Sequence, residues 1–307
     1  MRPSSRPKMN WKESSTVGKI PLETGLKGKG CPIGTVPIRR TTKEDLIRSR
    51  LFTHNYASRF SSLIVDKPGL HHAALRTKPD PNKKYNGGGV VTSAYQPSVT
   101  VSQYSSSQMT IQNGLDTIQV GWTVNPSLYG DNKTRLFTFF QAGATSCFNT
   151  HCPGFIIVDT RIPLDLVLEP ISQRGGPIYD LTLFVYRDQA NGNWWLEFGR
   201  SNTQIGFWPA RIFSGLTDLA TYMEWGGEAY SPPGQPSPPM GNSFFPSGDE
   251  SLDAFCEHIT TINEAHDPVD AENTEEFTDD VRLYKVDDWG IRGKAGHVFG
   301  FGGPGES

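Results

Sequence analysis

Apolar and polar residues alternate most cleanly over residues 115–124. Ile118, Val120, Trp122 and Val124 fall on one side, and Thr117, Gln119, Gly121 and Thr123 on the other. A period of two is the signature of a strand that buries one face. Further stretches rich in β-formers lie at residues 90–91, 99–104, 108–112, 134–140, 154–158, 178–187, 194–198 and 223–230. Asn191-Gly192 supplies a hairpin turn between two of them.

Helical patterns are few. Residues 31–50 read as a short strand and then a helix, with Thr41 or Thr42 as its cap and Glu44 and Asp45 in its first turn. Residues 211–223 suit a short helix with Leu216, Leu219 and Met223 on one side. Residues 231–239 are a Pro-rich loop, and residues 249–288 carry only weak periodicity, with a strand near 281–286. The sum predicts an all-β, antiparallel β-sandwich preceded by a small mixed α+β segment. Residues 76–88, polar and rich in Pro, Asn and Gly, read as an exposed linker. The chain is therefore divided into 1–85 and 89–307.

Composition sharpens this division. The net charge of −3 hides 18 Lys and Arg against 6 Asp and Glu in residues 1–84, leaving the remainder strongly acidic. A basic arm on an acidic body suits a nucleic-acid tail or a segment that docks on its own body. The basic residues are scattered among Pro, Gly and Ser without a binding motif, so no nucleic acid is expected. No run of apolar residues is long enough for a transmembrane helix, and no membrane partner is expected. The first residues have no apolar stretch behind them and are not a signal peptide as written, so either the protein is intracellular or the sequence begins late, at an internal methionine.

Several chemistries find no motif. Gly-x-Ser-x-Gly, His-Glu-x-x-His and the P-loop do not occur. Gly300-Phe-Gly302-Gly-Pro-Gly305 spells a dinucleotide fingerprint but has no helix after it. The seven His form no cluster beyond the pair His71-His72, which could sense pH. The cysteines are Cys31, Cys147, Cys152 and Cys256, without zinc spacing, so no metal is expected. Cys147 and Cys152 are close enough for a local disulfide, or stand as two free thiols. Asn132-Lys-Thr134 is an acceptor sequon for glycosylation.

Two polar positions stand out by context. Gln119 sits in the middle of its strand with Gly121 on the same face, and Glu228 follows Gly226-Gly227 and shares a face with Glu224. Glycine beside a polar group lets another backbone approach closely, as a bound peptide would; glycines at bulges of a solvent-facing sheet fit the same pattern.

These residues belong to longer motifs. The segment Cys31-Pro-Ile-Gly-Thr-Val-Pro-Ile-Arg-Arg-Thr-Thr-Lys-Glu-Asp-Leu46 resembles the activation peptide of the plant neprosin family. The run from Ile118 to Arg135, the loop Ser146-Cys-Phe-Asn-Thr-His-Cys-Pro-Gly-Phe155, Gly192-Asn-Trp-Trp-Leu196, Ile205-Gly-Phe-Trp-Pro209, Gly226-Gly-Glu228 and Gly302-Gly-Pro-Gly305 resemble its later motifs, in order. The resemblance implies a secreted or vacuolar acid endopeptidase of the glutamic type, acting on proline-containing polypeptides. It implies a β-sandwich with a substrate groove, no cofactor, a local disulfide Cys147–Cys152, and a basic propeptide that inhibits the enzyme until removed.

Two glutamates form the family's catalytic pair. Glu228 matches one; the other falls on Gln119, a departure that resembles the Gln/Glu pair of the fungal glutamic peptidases. The catalytic residues are therefore expected to be Glu228 and Gln119, with Thr117, Gly121, Gly226 and Gly227 around the substrate. Trp122 is expected in the core, and Glu197 at a groove or surface. An inactive relative that binds peptide or wall polymer in the same groove is the alternative.

Overall fold

The computed structural model describes residues 2–9, 11, 18–19, 30–32, 34–58 and 67–306. Most of the expected coil over residues 1–30 lies outside them. Two antiparallel sheets stack face to face, as the alternation predicts. The strands, in chain order, are β1 (Leu70–Thr77), β2 (Gly87–Ser93), β3 (Tyr104–Asn113), β4 (Asp116–Val124), β5 (Thr134–Ala142), β6 (Thr145–Phe148) and β7 (Tyr179–Arg187). They continue as β8 (Trp194–Phe198), β9 (Thr203–Trp208), β10 (Tyr222–Tyr230), β11 (Phe255–Ile262), β12 (Thr274–Thr278), β13 (Lys285–Ile291) and β14 (His297–Gly302).

The first sheet runs β13-β14-β11-β2-β7-β8-β9, completed by short pieces at Ile156–Ile157, Gly18–Lys19 and Pro268–Asp270. The second runs β12-β1-β10-β3-β4-β5-β6. The facing surfaces make the main core, where Ile118, Val120, Trp122 and Val124 meet Leu183, Val185, Trp194, Trp208 and Trp225. Trp122 is fully buried, as expected, and its indole N–H donates to the Ser93 carbonyl at 3.0 Å across the core. No helix among the described residues is long and apolar enough to cross a membrane.

Helix α1 (Lys43–Ala57) begins where the sequence predicts. Thr42 accepts the Asp45 N–H while the Asp45 carboxylate accepts the Thr42 N–H, a reciprocal cap. The strand expected ahead of it within 31–50 does not form among the described residues, which are irregular over 30–40.

Three other expectations are corrected. The stretch 76–88 is not a linker throughout, because Arg76 and Thr77 close β1 and Gly87 opens β2. Strand β1 lies inside the second sheet between β12 and β10, so the sandwich begins at Leu70, before the residues expected to divide the chain. The helix expected over 211–223 is two 3-10 turns, Ala210–Ile212 and Gly215–Thr217. The buried Asp116 carboxylate gathers the N–H groups of Ser214, Gly215 and Leu216 at 2.6, 2.6 and 3.1 Å, which pins the backbone in a turn. Finally, the acidic stretch 249–288 supplies β11, β12 and the start of β13, while Val281 sits in a turn. All eight residues of β11 are buried, which erases the alternation that would announce a strand.

Candidate active site

The outer face of the second sheet carries the polar residues that the core excludes. Register fixes which of them are neighbours. Gln119 on β4 faces Thr110 on β3, which faces Glu224 on β10, which faces Arg76 on β1. In the same way Thr123, Ser106, Glu228 and His72 form a second rung. Between them lies a rung of Gly121, Gln108, Gly226 and Ala74. Gln119 and Glu228 are thus on one face, separated by strand β3 and by roughly 13 Å along the strands at ~3.3 Å per residue. The carboxylate on Gln119's own rung is Glu224.

A cavity of about 750 Å³ opens on this face, and Gln119, Glu224 and Glu228 all line it, with His71, His72, Thr110, Tyr222, Phe277 and Asp279. Glu228 is buried, yet both its oxygens are engaged. The Tyr104 hydroxyl donates to one at 2.6 Å and the Gln108 amide to the other at 3.0 Å. The Ser106 hydroxyl orients Gln108 by donating to its carbonyl at 3.2 Å. Gln119 donates its amide to the Thr110 hydroxyl at 3.1 Å. Its carbonyl accepts from the Tyr56 hydroxyl at 2.9 Å. The Tyr222 hydroxyl donates to Glu224 at 2.6 Å.

His72 stands between the two glutamates, its Nδ1 3.9 Å from Glu224 and 4.0 Å from Glu228. Asp279 on the cavity wall holds the adjoining backbone, accepting the His72 N–H and a bond from the His71 ring, both at 2.6 Å. Burial alone would push the Asp279 carboxyl up, but these bonds hold it below the usual carboxylate range. The arrangement offers a water or a peptide carbonyl a buried carboxylate, an amide donor and an imidazole within one recess.

Helix α1 sits over this face. Phe52 and Tyr56 pack against Tyr104, Phe139 and Phe148 in a satellite apolar cluster. The Tyr56 hydroxyl reaches Gln119 through that contact. Nearby, Arg39 lies 3.6 Å from the carboxylate of Asp165. Burial raises the Asp165 carboxyl to about 6 in spite of Arg39 and Arg135. A carboxyl raised on folding contributes stability that is complete in acid and lost as pH rises through the raised value. The contribution of Asp165 to the thermal midpoint should therefore grow as pH falls from about 6 to about 4, and Asp165→Asn should remove it. Equal midpoint rises in both proteins would remove Asp165 as the source. The same protonation takes away the charge that attracts Arg39.

The remaining expected residues divide. Thr117 shares the outer face with Gln119 but is fully buried. Gly121 and Gly226 flank Gln108, and neither is among the described residues that wall the cavity. The backbone that approaches them is that of the adjoining strand: a Cβ on Gly121 would lie 2.0 Å from the Ser107 carbonyl oxygen, and one on Gly226 2.4 Å from that of Ala73. Gly227 points the other way, into the core, where a Cβ would meet Met240 and Phe301; strand parity puts it on the opposite face from Glu228. Cys147 and Cys152 are joined in a disulfide, while Cys31 and the buried Cys256 are free thiols. Asn132 is exposed. Glu197 is neither groove nor surface: its side chain is 1% exposed and paired with Arg6.

Tyr104 and Gln108 escaped the sequence reading, and His72 entered it only as half of a pair that could sense pH, not as a residue of the site. The first two share the parity of Thr110 on a single strand, which was legible only as two fragments, 99–104 and 108–112. His72 fell on the far side of the expected boundary.

The neprosin family model matches residues 101–304. Among solved structures the chain is similar to scytalido-glutamic peptidase with a peptide-based transition-state analogue, at 10% identity and a TM-score of 0.37, over 76% of this chain and 97% of that one. It is similar to SCP-B, a member of the eqolisin family of peptidases in complex with the tripeptide Ala-Ile-His, at 9% identity and a TM-score of 0.35, over 76% and 97% of the two chains. It is also similar to a β-porphyranase from the human gut bacterium Bacteroides plebeius, at 8% identity and a TM-score of 0.24, over 54% and 66%.

Proposed function

The chain belongs to the neprosin family, and from that premise we propose that it is a glutamic-type acid endopeptidase for proline-containing polypeptides, made as a precursor whose basic N-terminal segment holds it latent. The observation that carries this reading is that Gln119 and Glu228 open on one cavity, with a helix of the N-terminal segment seated on Gln119.

Peptide hydrolysis needs a base for water and a donor for the oxyanion. Glu228 takes a proton from a water as its oxygen attacks the scissile carbonyl carbon. The Gln119 amide, freed from Thr110, donates to the resulting oxyanion. The protonated Glu228 then gives its proton to the leaving nitrogen, the C–N bond breaks, and the carboxylate is restored. Tyr104 and Gln108 keep Glu228 in place throughout.

Register favours a second assignment within the same function. Glu224 shares Gln119's rung and the cavity, so it is an alternative base. Separate Gln substitutions at 224 and 228 decide between them.

Latency follows from helix α1 as an intramolecular inhibitor. Tyr56→Ala removes both a ring from the Phe52, Tyr104 and Phe148 cluster and the bond to Gln119. Activity of the unprocessed chain should rise by about tenfold or more. An unchanged rate would place the inhibition elsewhere. The disulfide supports an oxidising compartment, secretory or vacuolar, and the exposed Asn132 is then open to glycosylation.

The test is direct. Residues 1–307 are expressed behind a secretion signal and held in acid with a proline-containing fluorogenic peptide. Once its N-terminal segment has been released, the parent should cleave it. If the folded, processed protein does not, the cavity belongs to a non-catalytic binding protein for peptide or wall polymer.

A further inference from the structure

On the opposite side of the sandwich, the outer face of the first sheet bears two buried carboxylates, Glu197 on β8 and Asp188 just after β7. Both point to the N-terminal arm of this same chain. Arg6 makes a paired contact with Glu197, Nε to one oxygen and a terminal nitrogen to the other, both at 2.7 Å. The Tyr186 hydroxyl completes that carboxylate at 3.1 Å. Asp188 accepts the N–H of Ser4 at 2.7 Å, and the N–H and hydroxyl of Ser5 at 3.1 and 2.9 Å. The Ser5 hydroxyl in turn accepts the Gln189 N–H at 2.7 Å. Farther along, Met9 and Trp11 cover an apolar patch built on Phe184, Tyr186 and Trp195. The Trp11 indole donates to Asn202 at 2.9 Å.

A glutamate 1% exposed in the middle of a sheet face is costly unless a cation meets it in good geometry. The cation comes from the far end of the chain, and a planar guanidinium fits two carboxylate oxygens as an ammonium cannot. The hydroxyl and N–H contacts to Asp188 fix the direction of the arm, and Trp11 fixes its register. These features make a built site with its own specificity, on the other sheet from the catalytic cavity.

We propose that this face is a docking site for an arginine-bearing peptide segment, filled here by residues 4–9 and Trp11. The site holds the N-terminal arm independently of helix α1, and it binds the same segment when that segment is a separate chain. Nothing in it depends on the peptidase reading.

The probe is a fluorescein-labelled synthetic peptide with the sequence of residues 2–11, and the readout is anisotropy at neutral pH. The receptor is the full chain carrying Arg6→Ala and Trp11→Ala, which vacates the site. The peptide should bind it saturably at one per chain. Placing Ala or Lys at the arginine of the peptide, or adding Glu197→Gln to the receptor, should weaken binding by about tenfold or more. The wild-type chain, with its own arm docked, should bind the peptide about tenfold more weakly or worse. Equal binding of the arginine and alanine peptides overturns the proposal, and so does no binding to a folded receptor. If the doubly substituted chain does not fold, hydrogen exchange on wild type and Arg6→Lys reads the same contact. The Ser4 and Ser5 amides should exchange about tenfold faster in the variant, and equal rates overturn the proposal.

Discussion

Glu228→Gln should abolish peptide cleavage, lowering kcat/KM by about a thousandfold or more while leaving the fold intact. The substitution keeps the size of the side chain and its reach to Tyr104, but removes the buried carboxylate proposed to take a proton from water and return it. Gln119→Ala should cost about 10²–10³-fold, the usual loss when one oxyanion donor goes. Glu224→Gln distinguishes the two assignments of the base. If Glu228 is the base, Glu224→Gln keeps activity within about tenfold of the parent. If Glu224→Gln is the inactive variant and Glu228→Gln cleaves, the base is Glu224. The measurement is kcat/KM across the acid range on processed protein, with circular dichroism to confirm folding.

Gly226→Ala should destabilise the fold strongly. Gly226 has φ +142°, and an added Cβ would lie 2.4 Å from the Ala73 carbonyl oxygen and 2.6 Å from the Ala74 Cα. Both are backbone atoms of a paired strand, so relief means parting β1 from β10. A loss of about 3–5 kcal/mol is expected from strain plus broken ladder bonds. Gly143→Ala is the control: φ is +57°, but nothing lies within 4 Å of the new atom. That change should cost about 1 kcal/mol. Urea midpoints of the two variants, compared at equal m-values, give the difference directly. Similar midpoints would mean that β1 yields easily and does not hold β10 in place. Because β10 carries both Glu224 and Glu228, Gly226→Ala should also lose activity, through the disordering of the strand.

Some of this was legible from residues alone. The alternation of Ile118, Val120, Trp122 and Val124 with Thr117, Gln119, Gly121 and Thr123 decides which face of β4 meets the core, because burial penalises polar groups and rewards apolar ones locally. The same parity puts Gln119 on the outer face, and Glu228 with Glu224 on theirs. Thr42 and Asp45 are enough to start helix α1, since a capping box needs only neighbours in sequence. Strand β11 was illegible because both its faces are buried, and a strand without alternation has no period to read. Glu197 could not be assigned either, since the reason for its burial lies in Arg6, 191 residues away.

Sequence by itself determined the sandwich class, the orientation of its clearest strand and the cap of α1, all set by interactions within a few positions. Only the tertiary structure decided that β1 belongs to the sheet and brings His72 opposite Glu228, and that Glu224 shares Gln119's rung. It alone decided that Tyr104 and Gln108 hold the carboxylate and that Arg6 answers Glu197. These depend on which strand pairs with which, and in what register. That choice is made by the summed burial and hydrogen bonding of whole sheets, and no local pattern encodes it.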